Sequence, residues 1–240
     1  TSEAQQRSAR EKMAERLRQT DTMAALGQLS AGVAHELGAP LTVVDGRASR
    51  LLRRIDNEKD VNELNDIRQQ AARMTSIIQQ LLSFGRSSRA EMRDLDVLSL
   101  VERSQALLAD QGYQIKRIKG PKATVKGDSL SLEQALVNLL RNACQACPAG
   151  PVELSWQVDE HIHIHIDDAG PGITDDQQSQ VFEPFVTTKA PGEGSGLGLA
   201  IVQRIMREHQ GEVKLTHSPL GGARFSLILP LITTHSGITP

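Results

Sequence analysis

Apolar residues recur through the first third of the chain every three or four positions, the spacing of one face of an α-helix. Met13, Leu17, Thr20, Ala24, Gly27, Ala31 and Ala34 alternate four- and three-residue steps, the seam of a coiled coil. The small residues toward its end permit close approach of a neighbouring helix. A stripe continues through Val33, Ala34, Leu37, Leu41, Val44, Ala48, Leu51, Leu52 and Ile55. The pattern predicts one helix over residues 1 to about 57, a polar turn at Asp56-Asn57-Glu58-Lys59-Asp60, and a second helix to about Phe84. Leu64, Ile67, Ala71, Met74, Ile78 and Leu81 form the second stripe, and Gly85 with Ser87-Ser88-Arg89 ends it. Two helices cannot bury both stripes by themselves, so an all-α hairpin that closes as a homodimeric four-helix bundle is expected.

From about residue 94 the periods change. Short strands are predicted at 95–97, 113–119 and 123–126, a hairpin-like pair at 152–158 and 161–167, and closing strands at 212–216 and 223–229. Helices are predicted at 98–110, from an Asp128 or Ser129 cap to about Cys147, at about 175–182, and at 197–209. Strands and helices in this order suggest a mixed sheet covered on one face, an α+β two-layer sandwich, in a multi-domain chain. His161, His163 and His165 alternate with Ile162, Ile164 and Ile166; the isoleucines are expected to face the core and the histidines water.

Composition narrows the function classes. Only 2% of the 240 residues are aromatic, so the core is aliphatic, and a formal charge of -2 offers no field for nucleic acid. The basic runs at 50–54 and 116–126 read as solvated faces. Cys144 and Cys147 fall within a helical pattern as packing thiols, which suits a reducing compartment. No apolar run approaches a membrane span, so this part of the protein is expected in the cytoplasm. Any attachment to the inner membrane is expected only through segments absent from this chain.

Several residues carry candidate chemistry. On the helical wheel His35 points about 150° from the middle of its apolar stripe, toward water, with Glu36 beside it to polarise the ring or take its proton. Pro40 is expected to bend the helix just after that pair. Asn138 and Asn142 share a flank of their helix, where amide oxygens suit a hard cation such as Mg²⁺. Asp168 ends a strand and is followed by Gly170 and Gly172, so its carboxylate can accept from an exocyclic amine. Phe182 and Phe185 anchor a loop, and Lys189 offers a point charge to phosphate. Gly194, Gly196, Leu197 and Gly198 open a helix whose free N–H groups suit phosphate. No Lys-Ser/Thr follows these glycines and no strand leads into them, so neither a Walker A loop nor a Rossmann fingerprint is present.

Taken together, these pieces resemble the catalytic core of a two-component sensor histidine kinase of the nitrogen-regulation type, over nearly the whole chain. His35 through Leu41 resembles the family's H box, Asn138–Asn142 its N box, Asp168–Gly172 its G1 box, Phe182–Phe185 its F box and Gly194–Gly198 its G2 box. The resemblance implies a helical linker at 1–20, a dimerisation and histidine-phosphotransfer domain at 21–90, a Bergerat-type ATP-binding domain at 94–232 and a tail at 233–240. It implies ATP and Mg²⁺ as cofactors, with Asn142 as the metal ligand and Asn138 as a second candidate beside it. It implies His35 as phosphoacceptor, with Glu36 as base or orienter, and a response-regulator receiver as partner. Many relatives place Thr or Asn four residues after the histidine to position water for dephosphorylating the regulator; Ala39 here carries no polar group. Two other classes share parts of this pattern: a Bergerat-type ATPase clamp, and a nucleotide-binding dimeric scaffold without kinase activity.

Overall fold

The structure, a computed structural model, describes residues 37–85, 91–118, 120–178, 180–187, 189 and 194–231. The chain divides into two compact units, Thr1–Ser88 and Arg89–Pro240. His35 and Glu36, the coiled-coil seam and the tail lie outside the described residues.

In the first unit, helix α1 spans 37–52 and helix α2 spans Glu58–Gly85. Helix α1 runs on through Pro40, while Thr42 Oγ1 donates to the Gly38 carbonyl at 2.9 Å. The helix ends five residues before the expected position of about 57. Arg54 N donates to Leu51 O at 2.9 Å in a tight last turn, and Asn57 is committed to starting the next helix. Its Oδ1 accepts from Lys59 N at 3.1 Å and its carbonyl from Val61 N at 3.0 Å, the pattern of an N-cap. Glu58 and Asp60 place negative charge in the first turn of α2, where the helix dipole favours it. Ala48, Ala71 and Ile78 are buried, and Arg68 Nε reaches Asp45 Oδ1 at 2.8 Å between the helices. Much of the predicted stripe stays open in the single chain: Leu51 is 46%, Ile67 46% and Met74 50% exposed.

The second unit holds β1 (Arg93–Asp96), α3 (Val97–Ala109), β2 (Lys116–Arg117), β3 (Thr124–Gly127), α4 (Ser129–Ala146), β4 (Val152–Val158), β5 (His161–Asp168), α5 (Asp175–Gln178), α6 (Gly198–Glu208), β6 (Glu212–His217) and β7 (Ala223–Pro230). Its main sheet has the order β2-β4-β5-β7-β6, antiparallel except for the β2–β4 pair, and β1 and β3 form a separate ribbon. In register, Ile164 lies between Trp156 and Leu227, and Ile166 between Leu154 and Phe225. These side chains share one face and are buried against helices, chiefly through Leu132, Leu136, Leu139 and Ala143 of α4 and Ile201 and Ile205 of α6. Each such aliphatic side chain contributes about 1.5–3 kcal/mol by leaving water. No helix among the described residues is long and apolar enough to cross a membrane.

Three elements are shorter than the sequence pattern indicates. The strand expected over 113–119 is in register with β4 at Lys116–Arg117, with Ile118 N still donating to Leu154 O at 2.8 Å. The helix expected over 175–182 closes at Gln178 and continues as separate turns, such as Glu183 N to Gln180 O, before Pro184. The strand expected from 123 begins one residue later.

The isoleucines of β5 do face the core. The histidines are less open to water than expected. His161 is exposed, but His163 and His165 are partly covered by neighbouring side chains, and His165 Nδ1 lies 2.7 Å from Ser226 Oγ on β7. Burial and the nearby Arg224 guanidinium hold His165 below the usual histidine range, against the opposing pull of Asp167. An unfolded histidine takes its proton near pH ~6.5, whereas folded His165 takes it only at lower pH. Stability is therefore fully present above about pH 6.5 and is lost as pH falls, because the unfolded state binds the proton first. The thermal midpoint should drop between about pH 7.5 and about pH 5.5, and His165→Asn should flatten part of that drop; equal slopes in both proteins would contradict this.

Candidate functional site

Strand alternation sends the two adjacent acids at the end of β5 to opposite faces. Asp167 turns to the open face of the sheet. There Arg224 grips it through Nε at 2.8 Å and a second nitrogen at 2.9 Å, and Ser218 Oγ donates at 2.9 Å. Asp168 turns inward and is 2% exposed. Its Oδ1 accepts from Gly170 N at 2.8 Å and from Ala223 N at 3.1 Å, and its carbonyl accepts from Gly222 N at 3.1 Å. Both backbone donors take the same carboxylate oxygen, so Oδ2 is left to accept from a ligand. A Cβ at position 222 would fall 2.2 Å from Asp168 Oδ1, so this approach of β7 to the carboxylate requires glycine.

Helix α4 supplies the second wall. It starts at Asp128, whose Oδ1 accepts from Ser131 N at 2.9 Å and from Ser131 Oγ at 2.7 Å. The His209 ring ties this cap to α6: Nε2 accepts from Asp128 N at 2.9 Å, and Nδ1 donates to Ile205 O at 2.7 Å. Asn138, 9% exposed, carries a buried Nδ2 with no hydrogen-bond partner. A buried N–H donor left unmet costs about 1–3 kcal/mol, a deficit that an acceptor atom on a bound ligand would remove. Asn142 is half-buried and faces Gly198: a Cβ there would stand 3.9 Å from Asn142 Nδ2. Gly170 closes the far end, where a Cβ would come 2.9 Å from the Ala146 carbonyl of α4, and Gly172 takes φ +74° beside Gly222.

The third wall is the start of α6. Leu197 is buried as its N-cap residue, and its apolar side chain gives no cap to the first-turn N–H groups. Such groups attract anions. Gly196 at φ +66° lies under Phe185, whose N donates to Gly196 O at 3.0 Å. The two phenylalanines behave differently from the expected pair of anchors. Phe182 packs edge-on against Phe225 with ring centroids 6.4 Å apart, whereas Phe185, at φ +66°, is exposed because its backbone rather than its ring makes the contact. Lys189 Nζ donates to Gln145 Oε1 of α4, and Gly194 lies against the lysine stem. Thr188 and residues 190–193 lie outside the described residues.

Asp168, Asn138, Asn142, Gly170, Gly172, Lys189, Gly194, Gly196, Leu197 and Gly198 thus converge within the second unit. The arrangement places an amine acceptor at one end and N–H groups, an ammonium and neutral amides at the other. Sequence reasoning missed Gln145, although it continues the Asn138–Asn142 flank by one more turn. It also missed Gly222 and Ala223, which no local pattern links to Asp168. Among the described residues no group of three or more His, Cys, Asp or Glu side chains could hold a metal, so a cation here would rest on amide oxygens and its ligand's own charge.

The family model described as histidine kinase-, DNA gyrase B- and HSP90-like ATPase matches residues 127–233, and that of the His Kinase A (phospho-acceptor) domain matches 25–89. The mycobacterial sensor histidine kinase MprB is 30% identical in its solved structure, with a TM-score of 0.53, over 58% of this chain and 97% of that one. The chain belongs to the sensor histidine kinases. The signal transduction histidine-protein kinase AtoS of Escherichia coli K12 is 36% identical across 93% of this kinase chain and 38% of its own length. The sensor histidine kinase ZraS of Escherichia coli O157:H7 is 30% identical across 94% and 51%. The chain therefore spans between about a third and a half of the length of these curated relatives. Full-length ShkA in complex with AMPPNP is 28% identical with a TM-score of 0.70, over 86% of this chain and 46% of that one. The family's helical domain and α+β ATPase sandwich match the two units of this kinase core in type and order.

At Gly196 a Cβ would fall 2.4 Å from the Phe185 carbonyl carbon at a φ that L side chains avoid, whereas a Cβ at Gly198 meets only Asn142 Nδ2 at an ordinary 3.9 Å. Gly196→Ala should destabilise this domain by roughly 1–3 kcal/mol in urea unfolding while Gly198→Ala stays near the parent. Two variants with the same midpoint would refute the strain assigned to the Phe185–Gly196 pair.

Proposed function

We propose that this chain is the catalytic core of a homodimeric kinase that moves the γ-phosphoryl group of ATP to His35 and then to an aspartate of a response-regulator receiver domain. The observation that carries the nucleotide half of this reading is Asp168, fixed by two backbone donors on Oδ1 with Oδ2 open. The exocyclic amine of adenine donates to that oxygen. Gly170 and Gly172 let the base approach, and the start of α6 with Gly194, Gly196, Leu197 and Gly198 surrounds the phosphates. Lys189 adds positive charge there.

The donor set of Asn138 and Asn142 fits Mg²⁺ in kind: neutral amide oxygens on one helix flank. When bound, the ion supplies charge neutralisation at the phosphates. The chain's own residues do the rest. Asp168 fixes the base, α6 orients the phosphate chain, and a ring nitrogen of His35 forms the N–P bond as the bond from the γ-phosphorus to the departing ADP oxygen breaks. Glu36 orients the imidazole or takes its proton. Catalysis of this kind rests on positioning and charge neutralisation more than on covalent help from the protein.

The reading assigns residues 21–90 to dimerisation and phosphotransfer, 94–232 to ATP binding, 1–20 to a linker from an upstream module and 233–240 to a tail. The open positions Leu51, Ile67 and Met74 support a second copy packing on the first unit, since an isolated helix pair leaves that apolar surface in water. The cytoplasm, with its receiver partners and ATP, is the proposed compartment of this core.

Incubation with γ-labelled ATP and Mg²⁺ should label the chain with phosphate that is acid-labile and base-stable. His35→Ala should lose the label and keep nucleotide affinity. Asp168→Asn should weaken affinity by about tenfold or more, because a charge-assisted hydrogen bond is lost. Label that persists in His35→Ala would overturn the phosphoacceptor assignment.

A further inference from the structure

We propose that His209 is a positioning residue for the phosphate end of the nucleotide site: its ring joins the end of α6 to the start of α4 and so fixes where the first turn of α6 stands against Asn142. This rests on the nucleotide reading given above. His209 follows the last residue of α6 and is 4% exposed, with both ring nitrogens engaged. Nε2 accepts from Asp128 N at 2.9 Å, across 81 residues of sequence, and Nδ1 donates to Ile205 O at 2.7 Å. A backbone N–H can only donate and a carbonyl can only accept, so the ring is the neutral tautomer with its proton on Nδ1.

Asp128 is the N-cap residue of α4, with its carboxylate engaged by Ser131 N and Oγ. The ring lies on the Gly127 backbone, where a Cβ would come 2.8 Å from His209 Cδ2 and 2.5 Å from Leu132 Cδ1. Helix α6 therefore runs antiparallel to α4: its first residue, Gly198, faces Asn142, and its end meets the start of α4. Ile201, Val202, Ile205 and Met206 are buried between these two points. Apolar burial selects the face of α6 that turns inward, but it is non-directional and sets position along the helix axis only weakly. The bond from Asp128 N to a ring nitrogen is directional and fixes that position.

The consequence falls at the other end of the helix. A helix is a stiff rod, so the 11 residues of α6 carry a displacement at His209 to Gly198, about 16 Å away. There it moves the first turn of α6 relative to Asn142, and a misplacement of about 1 Å is enough to spoil the fit to a reacting group. Asp168 stands on β5 and takes its donors from Gly170 and Ala223, which belong to neither helix. The tie therefore acts on the polyphosphate part of the nucleotide and leaves the reading of the base in place.

Two substitutions divide the ring's bonds between them. In His209→Asn the amide N–H reaches as far as Nδ1 and still donates to Ile205 O, but the side chain falls short of Asp128 N. In His209→Gln the amide oxygen reaches as far as Nε2 and still accepts from Asp128 N, while Ile205 O keeps the backbone N of residue 209, at 3.1 Å. Calorimetric titration of the 240-residue chain with a non-hydrolysable ATP analogue plus Mg²⁺, and separately with adenosine, reads the difference. His209→Asn should weaken the analogue about three- to tenfold, His209→Gln should stay within about twofold of the parent, and adenosine affinity should hold in both. Each variant loses one ring hydrogen bond, so their thermal midpoints should fall by similar amounts, whereas a role in stability alone would make affinity follow the midpoint. Equal analogue affinities in the two variants, or a loss for adenosine as large as for the analogue, would overturn the proposal while leaving the nucleotide reading intact. An unmodified chain that binds neither analogue nor adenosine would overturn both.

Discussion

A single carboxylate oxygen, Asp168 Oδ1, receives two backbone N–H groups, one from the next turn and one from a distant strand of the second unit, and the site takes its shape from that convergence. Gly170 N comes from the turn after β5, and Ala223 N comes from the start of β7, 55 residues away in sequence. The bond to Ala223 exists only because β7 pairs antiparallel with β5, which brings Ala223 level with the end of that strand. It also needs Gly222, since any side chain there would occupy the carboxylate's own space. The pairing of the main sheet is therefore transmitted to one acceptor atom, and a slip of one residue in the β5–β7 register would turn Asp168 to the wrong face.

The same alternation places a second, independent polar system on the open face. Asp167, one residue away, is satisfied by Arg224 and Ser218. His165 meets Ser226, and His163 meets Asp159. These contacts keep the charged groups of the open face occupied with one another, while Asp168 turns to the inward face. The protonation of His165 bears on stability through this outer layer, while Asp168 sits on the other side of the same strand. Two adjacent aspartates thus serve different ends with no need for distance in sequence.

What was legible in the sequence follows from which signals are local. Period-2 and period-3.6 patterns located β4, β5, β7, α4 and α6, because burial on one face writes directly into spacing. The Asp128 cap was legible because capping chemistry is local. The ends of α1 and β2 were not, since they are set by a competing cap at Asn57 and by the edge of a sheet, and α5 is shorter than its pattern indicates. Residue types in order marked Asp168, Asn138, Asn142 and the glycines as site candidates, and the structure brings them together. It could not indicate that Ala223 donates to Asp168, that Lys189 reaches Gln145, or that Phe185 turns its ring outward. Each of these depends on a contact between distant segments or on a left-handed backbone that several residue types can adopt under tertiary constraint.

The site lacks the Lys-Ser/Thr that follows the glycines of a Walker loop, so phosphate handling must be assembled from separate elements. Backbone N–H groups at the start of α6 provide donors with no net charge, the α4 flank provides neutral amides, and Lys189 provides positive charge at one point. On the proposed function, a distributed arrangement of this kind would hold a polyphosphate by geometry while keeping the protein's own local charge modest. That suits a phosphoryl group that must leave: a site dense in fixed cations would hold the γ-phosphoryl group in the ground state as firmly as in the transition state, and uniform binding does not accelerate transfer. Asn142 and Gly198 meet where α4 and α6 pack together, so on the proposed function the groups around the phosphates are held on rigid helices, and positioning works alongside the charge neutralisation that a bound ion supplies.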